Sequence, residues 1–528
     1  MLTVGALLVG SLVLAAPAAN GSVAAKPRRG GTLTFGLEAE TTSGYCLPDS
    51  LLAAAGIQVV SAIYDTLVTL NAKGEYVPYL AKSVTPNADY TQWTITVRSG
   101  VRFQNGEPLD AAAVKLNLDT YRGKNPKIAA PLNTFVFLNI ADVAVSGPLS
   151  VVVTTKTPWP AFPAFLFLSG RAGIVAPAQL ANHDECVNHP IGTGPFSFVS
   201  WRVNDALTVQ RNPNYWRKGL PYLDKIIFRP VPEGQVRENE LVGGQVDAIQ
   251  TSGALQIIDL RKLKKSGDLK EFDSSRGAEV SYGMLNVSKL PFSDPIARQA
   301  VAYAGDAKQL NDIRNRGLNT LATGPFSPGS IAYVPKAGFP GHNLKKAIAL
   351  NKEYERKHGQ PISFEYLTQA DPELTDLAAL VQRFDAQAGI KMTITAVQQT
   401  ELITRAEVGN FQQLGFRNHP GGDPDTQYVW WHSGSPVNFG RINDPVIDKL
   451  LDQGRVETNP AKRAAIYKAL AQRFGKELYN LWVWYSIWAV ATKNQVNGVS
   501  GPPLPDGHGQ PFALFAGVIP VVGLSLSK

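Results

Sequence analysis

The sequence predicts an α/β protein with two or more lobes, and three observations support this fold class. Its 528 residues are more than one compact hydrophobic core usually holds. Strand and helix patterns alternate along the chain, without a repeat of the length that solenoid proteins show. One segment, residues 362–397, has the complete pattern of a strand, a helix and a returning strand, which is typical of a parallel sheet covered by helices.

The first residues are typical of a secretory signal peptide. Residues 2–19 are apolar, rich in alanine and uncharged, and this length fits the hydrophobic part of a signal better than a membrane-spanning helix. Small residues suited to signal cleavage lie at 16–18 and 22–24. We therefore expect residues 1–25 to be a signal peptide and the mature protein to be exported, to the periplasmic space or the outer face of the cytoplasmic membrane. An uncleaved segment that anchors the protein is the alternative.

The chain contains two cysteines, Cys46 and Cys186. In an exported protein, a single pair of cysteines suggests one disulfide. The alternative is a metal site, because His183, Asp184 and His189 lie close to Cys186 in the sequence. The disulfide is favoured, since the second cysteine has no C-x-x-C spacing and the two histidines are not placed four residues apart on a clear helix.

Local patterns predict several further elements. Residues 93–98 alternate apolar and polar side chains, as a half-buried strand does, and residues 111–121 have a helical pattern. Two more helices are expected to begin after Asp444 and after Asn459, because each of these capping side chains is followed by proline.

The strand–helix–strand unit is defined by its caps. Its strands are residues 362–367 and 390–397. Asp371 is the expected N-cap, since Pro372 follows at the first helical position, and Gly389 is expected to end the helix. The apolar side chains that recur at helical spacing are Leu374, Leu377, Leu380, Val381 and Phe384.

The composition is that of a globular protein with a solvated basic surface. Hydrophobic residues make up 44% of the chain, charged residues 18%, and the net charge is +8. The densest basic clusters, 26–29 and 261–265, are short and contain no interleaved aromatic residues. Nucleic-acid binding is therefore not expected.

Several short blocks occur in an order that is similar to one protein family. The most specific block is Ile191-Gly192-Thr193-Gly194-Pro195-Phe196. The other blocks are residues 29–33, 77–83, 100–109, 211–216, 223–226, 244–247, 291–294 and 298–300. In this order they resemble the dipeptide-, oligopeptide- and nickel-binding family of extracytoplasmic solute-binding proteins, family 5 of the ATP-driven (ABC) importers, over about residues 29–499.

The resemblance implies an α/β fold of two lobes, periplasmic-binding-protein-like, with a central ligand cleft and crossover strands between the lobes. Lobe I would comprise residues 26–254 and 486–528, and lobe II residues 255–485. It also implies a monomer without a cofactor, which passes a small-molecule or peptide ligand to the membrane permease subunits of an importer.

The resemblance further implies where ligand specificity is decided. Peptide-binding members resemble W-x-x-D-x-x-D-P-D at the loop that ends here in Asp425, and their first Asp holds the amino group of the peptide. This sequence has Arg417 at the position of the Trp and Pro420 at the position of that Asp, so an ammonium group would lose its partner. Arg417 and His419 instead offer donors that suit a carboxylate.

We therefore expect a small organic solute that carries a carboxylate, with a peptide as the alternative ligand. A peptide could still bind if Asp423 or Asp425 took over the ammonium group. Arg417 also has a purely structural alternative, an ion pair with Asp423 or Asp425. Nickel is not favoured, because the seven histidines are dispersed along the chain.

Aromatic residues are the expected walls of the cleft. Trp430 and Trp431 are adjacent, and on a strand adjacent side chains face opposite sides, so at most one of them should contact the ligand. Trp430 is the candidate. Tyr45 and Tyr282 lie in segments that approach the cleft in the family, and they are further candidates.

No motif indicates an enzyme. The sequence lacks G-x-S-x-G, H-E-x-x-H and Walker loops. His432 is followed closely by Ser433 and Ser435, but adjacency in sequence is no evidence of a catalytic triad. An exported enzyme and a cell-surface receptor or chaperone are the alternatives to a binding subunit, since a fold does not fix a function.

Overall fold

The computed structural model describes residues 27–41, 44–50, 52–418 and 421–527. The predicted signal peptide, residues 1–25, and two residues of the predicted ligand loop, His419 and Pro420, lie outside the described residues. Within the described ranges, no helix has the length and apolar character that crossing a membrane requires.

The first part of the chain, up to Thr251, contains most of lobe I. Its strands are β1 (Thr32–Leu37), β2 (Val68–Leu70), β3 (Tyr76–Pro78), β4 (Ala81–Pro86), β5 (Gln92–Val97), β6 (Ile140–Gly147), β7 (Ser150–Thr155), β8 (Phe196–Arg202), β9 (Ala206–Arg211), β10 (Lys225–Pro230) and β11 (Ala248–Thr251). Its helices are α1 (Ala54–Ile63), α2 (Ala111–Tyr121), α3 (Pro131–Val136), α4 (Phe162–Phe165), α5 (Pro177–Leu180), α6 (His183–Asn188) and α7 (Gly234–Gly243).

The second part of the chain contains lobe II and the return to lobe I. Its strands are β12 (Lys270–Ser274), β13 (Val280–Leu285), β14 (Thr320–Leu321), β15 (Ser363–Gln369), β16 (Lys391–Val397), β17 (Gln413–Asn418), β18 (Asn480–Tyr485), β19 (Trp488–Thr492), β20 (Val496–Asn497) and β21 (Ser525–Leu526). Its helices are α8 (Ala254–Ser266), α9 (Pro295–Ala304), α10 (Ala307–Asn315), α11 (Leu344–His358), α12 (Pro372–Gln387), α13 (Gln399–Glu407), α14 (Tyr428–Trp431), α15 (Pro445–Val456) and α16 (Pro460–Glu477).

Each lobe is built on one large mixed sheet. The sheet of lobe I has seven strands in the order β12-β19-β11-β1-β10-β9-β8, and that of lobe II has six in the order β14-β18-β13-β17-β15-β16. Lobe I carries an additional antiparallel sheet, β4-β5-β7-β6. The chain crosses between the two large sheets twice, once from β12 to β13 and once from β18 to β19. The fold is therefore two-lobed, with two crossover connections.

The boundary between the lobes differs from the one predicted. We placed residues 255–274 in lobe II, but β12 pairs antiparallel with β19 in the sheet of lobe I, from Lys270↔Thr492 to Ser274↔Trp488. Helix α8 leads directly into β12 and contacts it. The backbone hydrogen bonds of β12 therefore assign this segment to lobe I.

The predicted strand–helix–strand unit is confirmed. Strands β15 and β16 are parallel, in the register Ser363↔Lys391 to Gln369↔Val397. The side chain of Asp371 accepts a hydrogen bond from the backbone N–H of Leu374, 3.0 Å away, as an N-cap does. Gly389 has φ of 75°, the left-handed conformation that commonly ends a helix.

The other local predictions also match elements of the structure. Strand β5 covers most of residues 93–98, and α2 has the predicted bounds 111–121. Helices α15 and α16 begin after Asp444 and Asn459, and each of these side chains accepts a hydrogen bond from the first turn.

The two cysteines are joined in the structure. The Sγ atoms of Cys46 and Cys186 are 2.11 Å apart and the Cα atoms 5.0 Å, which ties the segment before α1 to helix α6. Neither sulfur is thus a free thiolate for a metal ion, and His183 pairs with the carboxylate of Asp49. In the part of the chain that the structure describes, no group of three or more His, Cys, Asp and Glu is placed to hold a metal ion.

Candidate ligand-binding site

A cavity of about 1160 Å³ lies between the two lobes, which is ample space for a small organic molecule. Lobe I contributes the end of β1, the start of α1 and the loop after α4. Lobe II contributes β13, β17, β18 and the helices α12 and α14. Three of the predicted site residues, Tyr282, Arg417 and Trp430, line this cavity. Their contact with a solute stays a prediction.

Arg417 is held by two carboxylates. Its Nη2 lies 3.2 Å from Oε1 of Glu38 in lobe I, and its Nε lies 3.4 Å from Oε2 of Glu279 in a crossover connection. A third group, the hydroxyl of Ser252, accepts a hydrogen bond from Nη1, and the guanidinium lies 5.3 Å from the centre of the Trp488 ring. Burial disfavours the charge of Arg417, but Glu279 and Glu38 outweigh it, so its pKa is raised.

The predicted alternative, an ion pair of Arg417 with Asp423 or Asp425, was wrong. Asp423 pairs with Arg463 at 2.6 Å, and Asp425 pairs with Arg455 at 3.0 Å. Arg417 therefore has an ion pair of its own, but with glutamates that are distant in sequence.

Asp425 is not placed to contact a solute, which corrects its prediction as a site residue. It is fully buried, and its Oδ2 accepts a hydrogen bond of 2.8 Å from Nε1 of Trp159 in lobe I. Its Oδ1 accepts bonds from Arg455 and from the hydroxyl of Tyr467. Both oxygens are thus satisfied by protein donors, one of which belongs to the opposite lobe.

Aromatic side chains form one wall of the cavity. The ring of Phe416 lies 5.9 Å from Trp430 and 6.0 Å from Tyr282. Trp430 also contacts Phe439 edge-on, with ring centres 5.9 Å apart. Tyr282 packs against Trp482 at 4.9 Å. A solute with an apolar or aromatic part would find a complementary surface here.

Trp430 and Trp431 do face different surroundings, although not for the predicted reason. They lie in the short helix α14 and not in a strand, and adjacent helical residues point about 100° apart. Trp431 is 2% exposed and packs edge-on against Phe474 at 4.8 Å. It is a core residue of lobe II.

Tyr45 lies behind the cavity wall, which corrects its prediction as a ligand contact. It is 2% exposed and packs edge-on against Trp201, with ring centres 4.9 Å apart. Its hydroxyl group donates a hydrogen bond of 3.5 Å to Glu40. The aromatic ring is thus used in the packing of lobe I beside the disulfide.

Arg171 is a cavity residue that the sequence analysis missed. Its Nε and Nη2 donate to the backbone oxygen of Leu52, at 3.0 and 2.7 Å. No carboxylate among the described residues lies within ion-pair distance of it. Burial lowers the pKa of Arg171 to about 10, against the field of Glu279, which raises it. One feature of the sequence could have drawn attention to Arg171: it is the single charged residue between positions 157 and 182.

Carboxylates outnumber cations in the described lining of the cavity, so the partners of each cation show whether it is free to bind an anion. Arg314 pairs with Glu373. Arg237 donates to the backbone oxygen of Val231 and to the hydroxyl of Thr251. The nine lining carboxylates are Glu38, Glu40, Asp49, Glu233, Glu279, Asp371, Glu373, Asp385 and Glu407, and the four guanidinium groups are Arg171, Arg237, Arg314 and Arg417.

Comparisons with known proteins agree with this architecture. A glutathione-binding protein, GsiB of Salmonella paratyphi A, is 31% identical over 434 residues, which cover 79% of this chain and 82% of that protein. A nickel-binding periplasmic protein of Escherichia coli is 26% identical over 463 residues, or 84% of this chain and 87% of that protein.

A solved structure is similar over almost the whole length. The binding protein AgaA of A. tumefaciens R10, in complex with agropinic acid, has a TM-score of 0.82 and 26% identity and covers 94% of this chain and 99% of that one. The family model for bacterial extracellular solute-binding proteins, family 5, matches residues 75–440. This chain therefore belongs to the family 5 solute-binding proteins, which serve ABC importers.

Proposed function

We propose that this chain captures a small organic solute that carries a carboxylate, holds it between the two lobes and delivers it to the permease subunits of an ABC importer. The protein would be exported, with residues 1–25 removed as a signal peptide. It would act as a binding subunit without a catalytic step. The observation that carries the proposal is Arg171, a cation that lines the cavity and has no carboxylate of the described residues within ion-pair distance.

The argument for Arg171 rests on charge compensation. A partly buried cation without a counter-ion is costly, and the lowered pKa of Arg171 reflects this cost. A guanidinium can hold a carboxylate through two parallel hydrogen bonds, and these are stronger than hydrogen bonds between neutral groups. Nε and Nη2 of Arg171 donate to Leu52, and Nη1 has no hydrogen bond to a described residue and could donate to such a carboxylate.

The anchor differs from the one that the sequence suggested. Arg417 was the expected partner of a carboxylate, but Glu38 and Glu279 already neutralise it. It would contact a solute as part of a cluster of one guanidinium and two carboxylates. Arg171 replaces it as the proposed anchor.

A peptide is the second candidate ligand. Glu38 and Glu279 both line the cavity and could accept hydrogen bonds from an ammonium group, although Pro420 stands at the position of the amino-binding Asp. A solved peptide complex, the oligopeptide-binding protein AppA of Bacillus subtilis with a nonapeptide, shares the fold with a TM-score of 0.83 at 21% identity.

The test is binding of carboxylates and peptides to the wild type, to Arg171→Gln and to Arg102→Gln. Arg102 is a matched control, because it is exposed and its guanidinium also donates to a backbone oxygen, that of Gly106. Isothermal titration should show that Arg171→Gln weakens carboxylate binding by about 2 to 4 kcal/mol, or about 30-fold to 1000-fold. Tight peptide binding that needs a free amino terminus and ignores Arg171→Gln would favour the peptide instead.

A further inference from the structure

The cavity extends into lobe II as a chamber between the sheet and helix α12. Its floor is a cross-strand pair of glycines, Gly283 on β13 opposite Gly415 on β17. A Cβ atom at Gly415 would lie 2.6 Å from the hydroxyl of Tyr366, and one at Gly283 would lie 2.7 Å from Nε2 of Gln413. The absence of a side chain at these two glycines therefore makes room for the hydroxyl of Tyr366 and the amide of Gln413.

Asp385 of α12 lies in this chamber without a partner. Its side chain lines the cavity and is 2% exposed. No hydrogen bond or ion pair joins its carboxylate to any residue that the structure describes. Gln413, which is also 2% exposed, has an Oε1 atom without a hydrogen-bond donor among those residues. No donor of the described residues is bonded to the carboxylate of Asp385 or to Oε1 of Gln413.

Two other buried carboxylates among the described residues have strong donors. Asp65 accepts a hydrogen bond of 2.8 Å from Nε1 of Trp216, and Asp425 is paired with Arg455. An unpaired buried carboxylate is costly, and native proteins rarely keep one without a reason. Burial raises the pKa of Asp385 to about 8, as expected for a carboxylate whose ionised form has no cation or donor beside it.

We propose that this chamber is a second subsite, in which Asp385 binds a protonated amino group of the solute. The inference rests on the proposed function, because it places the amino group at one end of a solute whose carboxylate, at the other end, is held by Arg171. Leu377, Val381 and Leu481 also line the cavity, and their apolar surface suits a methylene chain that leads to the amine.

The test compares two matched series of compounds on four proteins. The first series is straight-chain ω-amino acids from 4-aminobutanoate to 8-aminooctanoate, and the second is unsubstituted carboxylates of the same lengths. Straight-chain alkylamines form a third arm. The proteins are the wild type, Asp385→Asn, Arg171→Gln and the control Asp376→Asn, whose carboxylate lies on the exposed face of α12.

The wild type should bind at least one ω-amino acid at least about tenfold more tightly than its matched carboxylate, a difference of about 1.4 kcal/mol. Asp385→Asn should abolish this preference and leave the binding of unsubstituted carboxylates unchanged. Asp376→Asn should behave as the wild type does. Asp385→Asn conserves the shape of the side chain, and its circular dichroism and melting curve will show whether it is folded.

The possible failures are distinguishable. Equal binding of the two series, or a preference that survives Asp385→Asn, would overturn the second subsite and leave the carboxylate anchor standing. Alkylamine binding that depends on Asp385, together with carboxylate binding that ignores Arg171→Gln, would support the second subsite and overturn the proposed carboxylate anchor. Failure of all three series to bind the folded wild type would overturn both proposals.

Discussion

Arg417 holds together three separate segments of the chain. Glu38 comes from the end of β1, Glu279 from the crossover before β13, and Arg417 from the end of β17. The side chain of Arg417 is 38% exposed, so solvent screens part of these interactions. Its main effect at the residue scale is to place a cation between two carboxylates of different segments.

Arg417→Gln should destabilise the protein, because it removes the cation that pairs with both Glu38 and Glu279. We expect a loss of about 1 to 2 kcal/mol, less than for a fully buried pair, because the site is partly exposed. Burial raises the pKa of Glu279 and Arg417 lowers it, so the variant should raise that pKa further. Native Glu279 then binds protons more strongly than the unfolded chain, and the loss should grow as pH rises above the usual range of glutamate.

Urea denaturation at several pH values will measure this effect. The double variant Arg417→Gln with Glu279→Gln is the control, since it removes one of the two repelling charges. It should recover part of the lost stability. A loss that is the same at low and neutral pH would show that Arg417 acts by packing and not by charge.

Asp385 should make the stability of the protein depend on pH in the opposite way from an ion-paired carboxylate. Its pKa is raised by burial from 3.8 to about 8, so the native state holds this proton where the unfolded chain has lost it. The contribution of Asp385 to stability is therefore fully present below about pH 4 and is lost as pH rises to about 8. Tyr366, its titratable neighbour, has a pKa raised to about 12 and stays neutral over this range.

Asp385→Asn should remove this dependence. In the absence of solute, the variant should be more stable than the wild type near pH 8, and the gain should shrink toward pH 4. Melting temperatures of both proteins across this range will decide, with Asp376→Asn as the control. A wild type and variant whose difference does not vary with pH would contradict the burial of an unpaired carboxylate.

At the scale of elements, the helix caps could be predicted because they are encoded locally. Asp371 and Pro372 fix the start of α12 within a few residues, and Gly389 fixes its end. That Asp385 on this helix lies buried without a partner could not be predicted, because it depends on which side chains of distant strands lie opposite it. Local sequence rules say which face a helix buries, and they do not show what lies opposite one side chain on that face.

The site was predicted less completely for the same reason. Tyr282 and Arg417 were assigned to the cleft by resemblance and Trp430 from its place in a pair of adjacent tryptophans, and all three line the cavity. Arg171 was missed because its surroundings are assembled from the segment before α1, the loop after α4 and the crossover, which are far apart in sequence. Asp425 was misassigned because its partner Trp159 lies 266 residues away.

The disulfide is the covalent link between two elements of lobe I. It closes a loop with a sequence separation of 140 residues, and chain-entropy estimates give such a link roughly 4 to 5 kcal/mol. The double variant Cys46→Ala with Cys186→Ala should therefore lower the midpoint of denaturation. Mass spectrometry of the unreduced protein should show no free thiol, and two free thiols would contradict the pairing.

At the scale of the whole molecule, the lobes are connected by two crossovers and held across the cleft by side chains. Trp159 of lobe I is fully buried, and its Nε1 donates to Asp425 of lobe II. The guanidinium of Arg455, also of lobe II, lies 5.4 Å from the centre of the Trp159 ring. Hinge motion of the lobes would have to break this contact, so it should favour the closed state.

Trp159→Phe should therefore shift the protein toward an open arrangement. It removes the interlobe hydrogen bond but keeps an aromatic ring, and it leaves the ion pair of Asp425 and Arg455 intact. Small-angle scattering without solute should give a larger radius of gyration than for the wild type, and a bound solute should reduce the difference, since a ligand held by both lobes favours closure. Trp93→Phe is the matched control: Trp93 is 3% exposed within lobe I, and its Nε1 has no acceptor among the described residues.

If Trp159→Phe and Trp93→Phe change the scattering equally, the hydrogen bond to Asp425 does not restrain the lobes. A selective effect of Trp159→Phe would show that closure depends on a single buried contact across the cleft as well as on the solute itself.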